Sequence, residues 1–153
     1  MLGMNMSTFK DYASRLRSIP PTRALRALVV DDEEPVRKFV DRVLRDAGYE
    51  TTTAGGGEEA LLAAKNMPTV DILVTDLMMP QMTGDELARR LRQHEAGVKV
   101  LYLTGYSDKL FKEKVTLWQD EAFLDKPCSV QGLRQAVSLL LFGSLETPEM
   151  TKD

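Results

Sequence analysis

Between residues 24 and 126, short apolar runs alternate with longer stretches that carry apolar positions at helical spacing. "ALRALVV" reads as a first strand. In the segment after it, Val36, Phe39, Val40, Val43, Leu44 and Ala47 share one helical face. Pro35 suits the first turn of that helix, and Gly48 suits its end. "YETTTA" is a short, polar second strand, and "GGGEEALLAAKN" is a glycine-rich turn followed by a helix that stops before Pro68. "VDILVTD" is a third strand. "MTGDELARRLRQH" then opens a helix, with Thr83 and Glu86 in capping-box spacing and Met82 and Leu87 placed as a hydrophobic staple. "VKVLYLT" is a fourth strand, "DKLFKEKVTLWQ" a fourth helix and "AFLDK" a fifth strand. "SVQGLRQAVSLLLF" closes the pattern, with Val130, Leu133, Val137, Leu140 and Leu141 on one face.

Strands alternating with helices predict an α/β fold, a parallel sheet covered on both faces and connected by right-handed crossovers. The polar second strand suits an edge, and the apolar first, third and fourth suit the middle. That favours the flavodoxin-like doubly wound order 2-1-3-4-5 over five strands. The domain so predicted spans residues 24–142. Residues 1–23 form an extension. Phe9, Tyr12, Leu16 and Ile19 fit a short amphipathic helix, or the segment is a partly ordered linker, and Pro20 and Pro21 end it. Residues 143–153 are a polar tail.

Composition narrows the class. The 153 residues suit one domain with a sizeable core plus short extensions. A formal net charge of -3 gives no electrostatic footprint for nucleic acid. No apolar run approaches the roughly 20 residues that span a bilayer, and the N-terminus lacks a secretory apolar region. The one cysteine, Cys128, excludes an internal disulfide and fits a cytoplasmic location. "GGG" at 55–57 lacks the phosphate-loop pattern and reads as a flexible turn. His94, the one histidine, reads as a surface residue, and Leu117 and Trp118 read as core or partner-facing.

The acids change the picture most. In doubly wound sheets, ligands bind where the strands end, at the switch point between strands 1 and 3. Asp31 and Asp32 end strand 1 and Asp76 ends strand 3, so three carboxylates converge there. Alone they repel, and a hard divalent cation such as Mg²⁺ resolves the conflict. Glu33 and Glu34 sit where a helix begins and favour its dipole. Thr104 ends strand 4 and Lys126 ends strand 5, on the same rim. A carboxylate, a cation site, a hydroxyl and an ammonium together describe phosphoryl chemistry, with the carboxylate able to act as nucleophile.

"LVVDDEEPVR", "DILVTDLMMPQMTGDEL", "LYLTGYSD" and "FLDKP" resemble the receiver domain of bacterial two-component response regulators, most closely receivers attached to hybrid histidine kinases. The resemblance implies that Asp76 accepts a phosphoryl group from a histidine kinase or histidine phosphotransfer protein. It implies that Asp31, Asp32, Asp76 and the main-chain carbonyl of Met78 hold Mg²⁺. Thr104 and Lys126 match residues that contact the phosphoryl oxygens, and Phe123 matches a switch aromatic that turns inward when Thr104 moves. Met78 and Tyr106 match positions that flank the path of the water that removes the phosphoryl group. The Lys126–Pro127 peptide matches one that is typically cis. Such a domain catalyses only its own phosphorylation and dephosphorylation, and a homodimer through the fourth helix, fifth strand and fifth helix fits the class. Cys128 stands where an aromatic often follows Lys-Pro, and Phe123 lacks a tyrosine's hydroxyl. Two rivals use part of the same pattern. A haloacid-dehalogenase-type phosphohydrolase needs D-x-D on its first strand, whereas here the second position is Met78 and Asp76 ends the third. An unphosphorylated interaction module has no need of the full acid, threonine and lysine set.

Overall fold

A strand buried on both faces is mainly apolar, and Ile72–Asp76 is buried at every position, with polar residues only at its last two, Thr75 and Asp76. It lies at the centre of a parallel sheet. The computed structural model describes residues 23–105 and 120–143. In chain order these form β1 (Arg26–Val30), α1 (Glu34–Asp46), β2 (Glu50–Ala54), α2 (Gly57–Lys65), β3 (Ile72–Asp76), α3 (Gly84–Arg92), β4 (Lys99–Thr104), β5 (Glu121–Asp125) and α4 (Val130–Phe142). The strand order is β2-β1-β3-β4-β5, with every pairing parallel, as the hydrophobic pattern predicts. The extension at 1–22, the helix expected at "DKLFKEKVTLWQ" and most of the tail lie outside the described residues, as do Tyr106, Leu117 and Trp118.

The two-residue period of the strands divides the core in two. Leu28, Val30, Leu73, Val100 and Tyr102 face Ala60 of α2 and Leu87 and Leu91 of α3. Ala27, Val29, Ile72, Val74, Leu101 and Leu103 face Val40, Val43 and Leu44 of α1 and Leu133 and Val137 of α4. Polar β2 is one edge strand and β5 the other. Among the described residues, no helix is long and apolar enough to cross a membrane.

The helix ends follow local chemistry. Pro35 occupies the first turn of α1. At the other end Gly48, at φ +101°, donates to the Arg45 carbonyl while Tyr49 donates to that of Leu44, the paired bonds of a Schellman motif. The capping box at α3 is half made. Thr83 Oγ1 accepts from the Glu86 amide at 3.4 Å. The Glu86 carboxylate instead takes Arg89 at 2.7 Å and Arg90 at 2.8 Å, because two cations on the next turn outcompete one neutral amide. Ser129 caps α4 through the Gly132 amide at 2.9 Å. Val130 was expected on the apolar face of α4 but opens the helix 50% exposed, with burial starting at Leu133.

β1 and β3 are each two residues shorter at the start than the apolar runs suggest. Asp71 organises both starts: its carboxylate accepts the Arg26 amide at 2.7 Å and both terminal nitrogens of Arg23, at 3.0 and 3.2 Å, while its own amide donates to the Arg26 carbonyl at 2.9 Å. The glycine run at 55–57 is a packing device at its third position. A Cβ on Gly57 would lie 2.4 Å from Met82 Sδ, so α2 begins directly against that buried side chain.

Gly84 matters most for the site. Its amide donates to the Leu77 carbonyl at 2.7 Å, and a Cβ there would sit 2.3 Å from the Asp76 carbonyl oxygen and 3.1 Å from Leu77 Cα. Only a residue without a side chain lets α3 start this close to the end of β3. Gly84→Ala is therefore expected to destabilise the fold by about 1–3 kcal/mol in urea unfolding. Gly97→Ala, where a Cβ meets nothing within 4 Å, serves as the neutral control, and equal stability of the two variants would contradict this packing.

Candidate functional site

The rim where the strands end gathers the predicted residues. Asp31 follows β1 directly and is 1% exposed. Its amide donates to the Ala54 carbonyl at 3.2 Å, its Oδ1 accepts the Glu33 amide at 2.9 Å, and its carbonyl accepts Arg37 Nη1 at 2.7 Å. Asp76 ends β3 and is 6% exposed, while Asp32 is exposed. Each of the three carboxylates offers an oxygen, and these oxygens lie within 4.8 Å of one another.

Lys126 is the shared counter-charge. Its Nζ lies 3.1 Å from Asp31 Oδ2, 3.4 Å from Asp76 Oδ1 and 3.7 Å from Glu33 Oε1. β5 ends one residue earlier than the sequence suggests, at Asp125, but the Lys126 amide donates to the Thr104 carbonyl at 2.8 Å and so extends the ladder to the lysine. The Lys126–Pro127 peptide is cis. Cys128 is half-buried and packs against the core shared by α1 and α4.

The donors fit a hard cation. Asp31 Oδ2 is fully buried and accepts no well-aligned hydrogen bond, although the Lys126 ammonium is in ion-pair contact with it. A buried carboxylate oxygen left without a directed donor, beside two further carboxylate oxygens, is a natural ligand for Mg²⁺.

Electrostatics follow from the crowding. Burial, and then the Asp31 charge, pushes the Asp76 carboxyl up to about 6 against the pull of Lys126. Burial likewise raises Asp31, offset in part by the Glu33 amide and Lys126. Burial disfavours the Lys126 ammonium, but the Asp31 and Asp76 carboxylates outweigh it and hold its pKa above the ordinary value. One ammonium is thus insufficient for three acids.

Thr104 ends β4, one strand beyond β3, and Phe123 lies on β5, two strands beyond. Thr104 is 1% exposed, and its hydroxyl donates to Asp125 Oδ1 at 3.3 Å. Phe123 is half-buried and stacks on Tyr102, its register partner, with ring centroids 4.9 Å apart. Tyr102 is anchored in turn. Its hydroxyl donates to Glu121 Oε2 at 3.1 Å, and Arg92 Nη1 donates to the same oxygen at 2.6 Å. Met78 is 47% exposed beside the site, and His94 is exposed, as expected.

Several of these partners escape the sequence reading. Glu33 does more than face a helix dipole, since it reaches Lys126. Arg37 signals itself only through its helical spacing, one turn into α1. Asp125 stands inside the quoted "FLDKP" run. Tyr102, Glu121 and Arg92 become visible as a group only once the β4–β5 register is known.

The chain belongs to the response regulator receiver domain family, whose family model matches residues 27–138. It is 35% identical over 115 residues to the sensor kinase CckA of Brucella abortus, covering 74% of this chain and 12% of that protein. It is 29% identical over 119 residues to the response regulator receiver protein CpdR of the same organism, covering 78% and 98%. Among solved structures, the receiver domain of the hybrid histidine kinase CckA is similar with a TM-score of 0.64 and 32% identity, covering 76% of this chain and 98% of that one. The chemotaxis protein CheY4 of Vibrio cholerae is similar with a TM-score of 0.69 and 31% identity, covering 77% and 99%. The family match sets aside the phosphohydrolase reading. Receiver domains generally bind Mg²⁺ at an acidic pocket, and the aspartate cluster here is of that kind.

The raised Asp76 pKa has a thermodynamic consequence. Without metal, folded protein binds more protons than unfolded protein between about 3.8 and about 6. Asp76 therefore favours folding at low pH, and this contribution is lost as pH rises through 6. Asp76→Asn is expected to be more stable than wild type at pH 7 by about 1–3 kcal/mol, with the difference shrinking towards pH 4. Urea unfolding of both proteins across that range, in chelator, measures it. A difference that stays flat with pH would contradict the assignment.

Proposed function

We propose that Asp76 is the phosphoacceptor of a two-component phosphorelay, receiving its phosphoryl group from a phosphohistidine on a histidine kinase or a histidine phosphotransfer protein. The observation that carries this reading is the cluster of Asp31, Asp32 and Asp76 at the ends of β1 and β3, with Lys126 in contact with Asp31 and Asp76. An Asp76 carboxylate oxygen attacks phosphorus, the P–N bond breaks, and the imidazole leaves with the bond pair. The Lys126 ammonium then moves from carboxylate to phosphoryl oxygens, and the Thr104 hydroxyl donates to one of them. Asp31, Asp32, Asp76 and the Met78 carbonyl would hold Mg²⁺, which when bound neutralises charge on the phosphoryl oxygens. Movement of Thr104 frees Phe123 to change its packing, and this alters the face formed by β4 and β5.

Incubation with acetyl phosphate and Mg²⁺, followed by intact-mass measurement, tests the chemistry. Wild type is expected to gain one phosphoryl group and Asp76→Asn none, and an equal gain in both would reject Asp76. Mg²⁺ alone is expected to stabilise the wild-type fold, by about 2.7 kcal/mol at 100 times its dissociation constant. Asp32→Asn is expected to lose most of that stabilisation.

The lifetime of the acyl phosphate follows from the residues two positions after Asp76 and two after Thr104. Met78 has no proton acceptor with which to orient a hydrolytic water, and Tyr106 is bulky. Self-dephosphorylation is therefore slow. Met78→Asn combined with Tyr106→Glu is expected to shorten the lifetime in Mg²⁺ without any partner. An unchanged lifetime would show that these side chains do not gate the water.

A further inference from the structure

The Thr104 hydroxyl has one hydrogen to give, and its acceptor in this structure is Asp125 Oδ1, 3.3 Å away, a long bond that a shorter one to a phosphoryl oxygen can replace. Thr104 is 1% exposed, so water offers its hydroxyl little alternative. The two residues are register partners across β4 and β5, and the Lys126 amide bond to the Thr104 carbonyl, at 2.8 Å, locks the strands together at this point. Asp125 itself is exposed. Its carboxylate can therefore return to solvent once released, without leaving a buried charge behind.

We propose that Asp125 is a positioning residue that competes with the phosphoryl group for the Thr104 hydroxyl and so sets the threshold for switching. This rests on the reading of Asp76 as phosphoacceptor and Thr104 as the switching donor. Phosphorylation must exchange one charge-assisted hydrogen bond for another, whereas a receiver with an apolar residue at this position forms the second bond without losing a first. The carboxylate thus holds the unphosphorylated state down and makes the switch respond to the phosphoryl group itself rather than to thermal drift of Thr104.

The test uses beryllium trifluoride with Mg²⁺ as a non-covalent phosphoryl analogue, titrated by calorimetry into wild type, Asp125→Ala, Thr104→Ala and the double variant. Removing Asp125 also removes a negative charge near an anionic ligand, and the Thr104→Ala background isolates that effect, because charge remains and competition does not. Asp125→Ala is expected to tighten binding roughly three- to tenfold when Thr104 is present, the factor of one net hydrogen bond, and clearly less when it is absent. Asp125→Asn, which keeps an acceptor without the charge, is expected to fall between wild type and Asp125→Ala. An equal gain in both backgrounds, or no gain, overturns the competition while leaving the phosphoacceptor reading intact. Failure of wild type to bind the analogue at all would instead bring down that reading, and this inference with it.

Discussion

One lysine facing three carboxylates is the constraint around which the rest of the molecule is arranged. Lys126 reaches Asp31, Asp76 and Glu33 from β5, two strands away from β3. That reach requires β4 and β5 to stay in register to their ends, and the Lys126 amide bond to Thr104 supplies the last rung. It also requires β3 to stop at Asp76, and the tight passage of Gly84 beneath the Asp76 carbonyl ensures this. The charge imbalance remains unresolved by the protein alone. A site in this condition is poised to accept positive charge without rebuilding its walls.

Much of this was legible in the chain. The alternation of continuous apolar runs with helical spacing predicts a parallel sheet, and the polar composition of "YETTTA" places that strand at the edge, where it lies. Once the strand order is known, residues that end strands become neighbours, so Asp31, Asp76, Thr104 and Lys126 were within reach of sequence reasoning. What escaped it depends on side-chain competition. Glu86 has the right spacing for a capping box, but Arg89 and Arg90 claim it. Asp71 ends up organising the starts of two strands because two unrelated groups, Arg23 and the Arg26 amide, converge on it. Patterns of apolarity carry no information about which of several donors wins an acceptor.

The aromatic pair behind the site belongs to the same category. Tyr102 is 1% exposed, and burial together with the Glu121 charge drives its pKa upward, so the phenol stays protonated and remains a donor. Arg92 and Glu121, at 14% and 5% side-chain exposure, form a pair whose removal by halves would leave a charge unbalanced in the interior. The ring on which Phe123 rests is therefore held at its hydroxyl by a buried ion pair.

The Arg23 clasp on Asp71 lies at the opposite end of the sheet from Asp76. Arg23 is 43% exposed at its side chain and grips the loop just before β3, while the acids gather just after it. A strand of five residues separates the two, roughly 16 Å at the usual rise. Arg23 is thus fastened at the pole of the sheet remote from the acids. β1 and β3, buried at nine of their ten positions, join the two poles, so the start of the described domain is held by one set of carboxylate bonds and its rim by another.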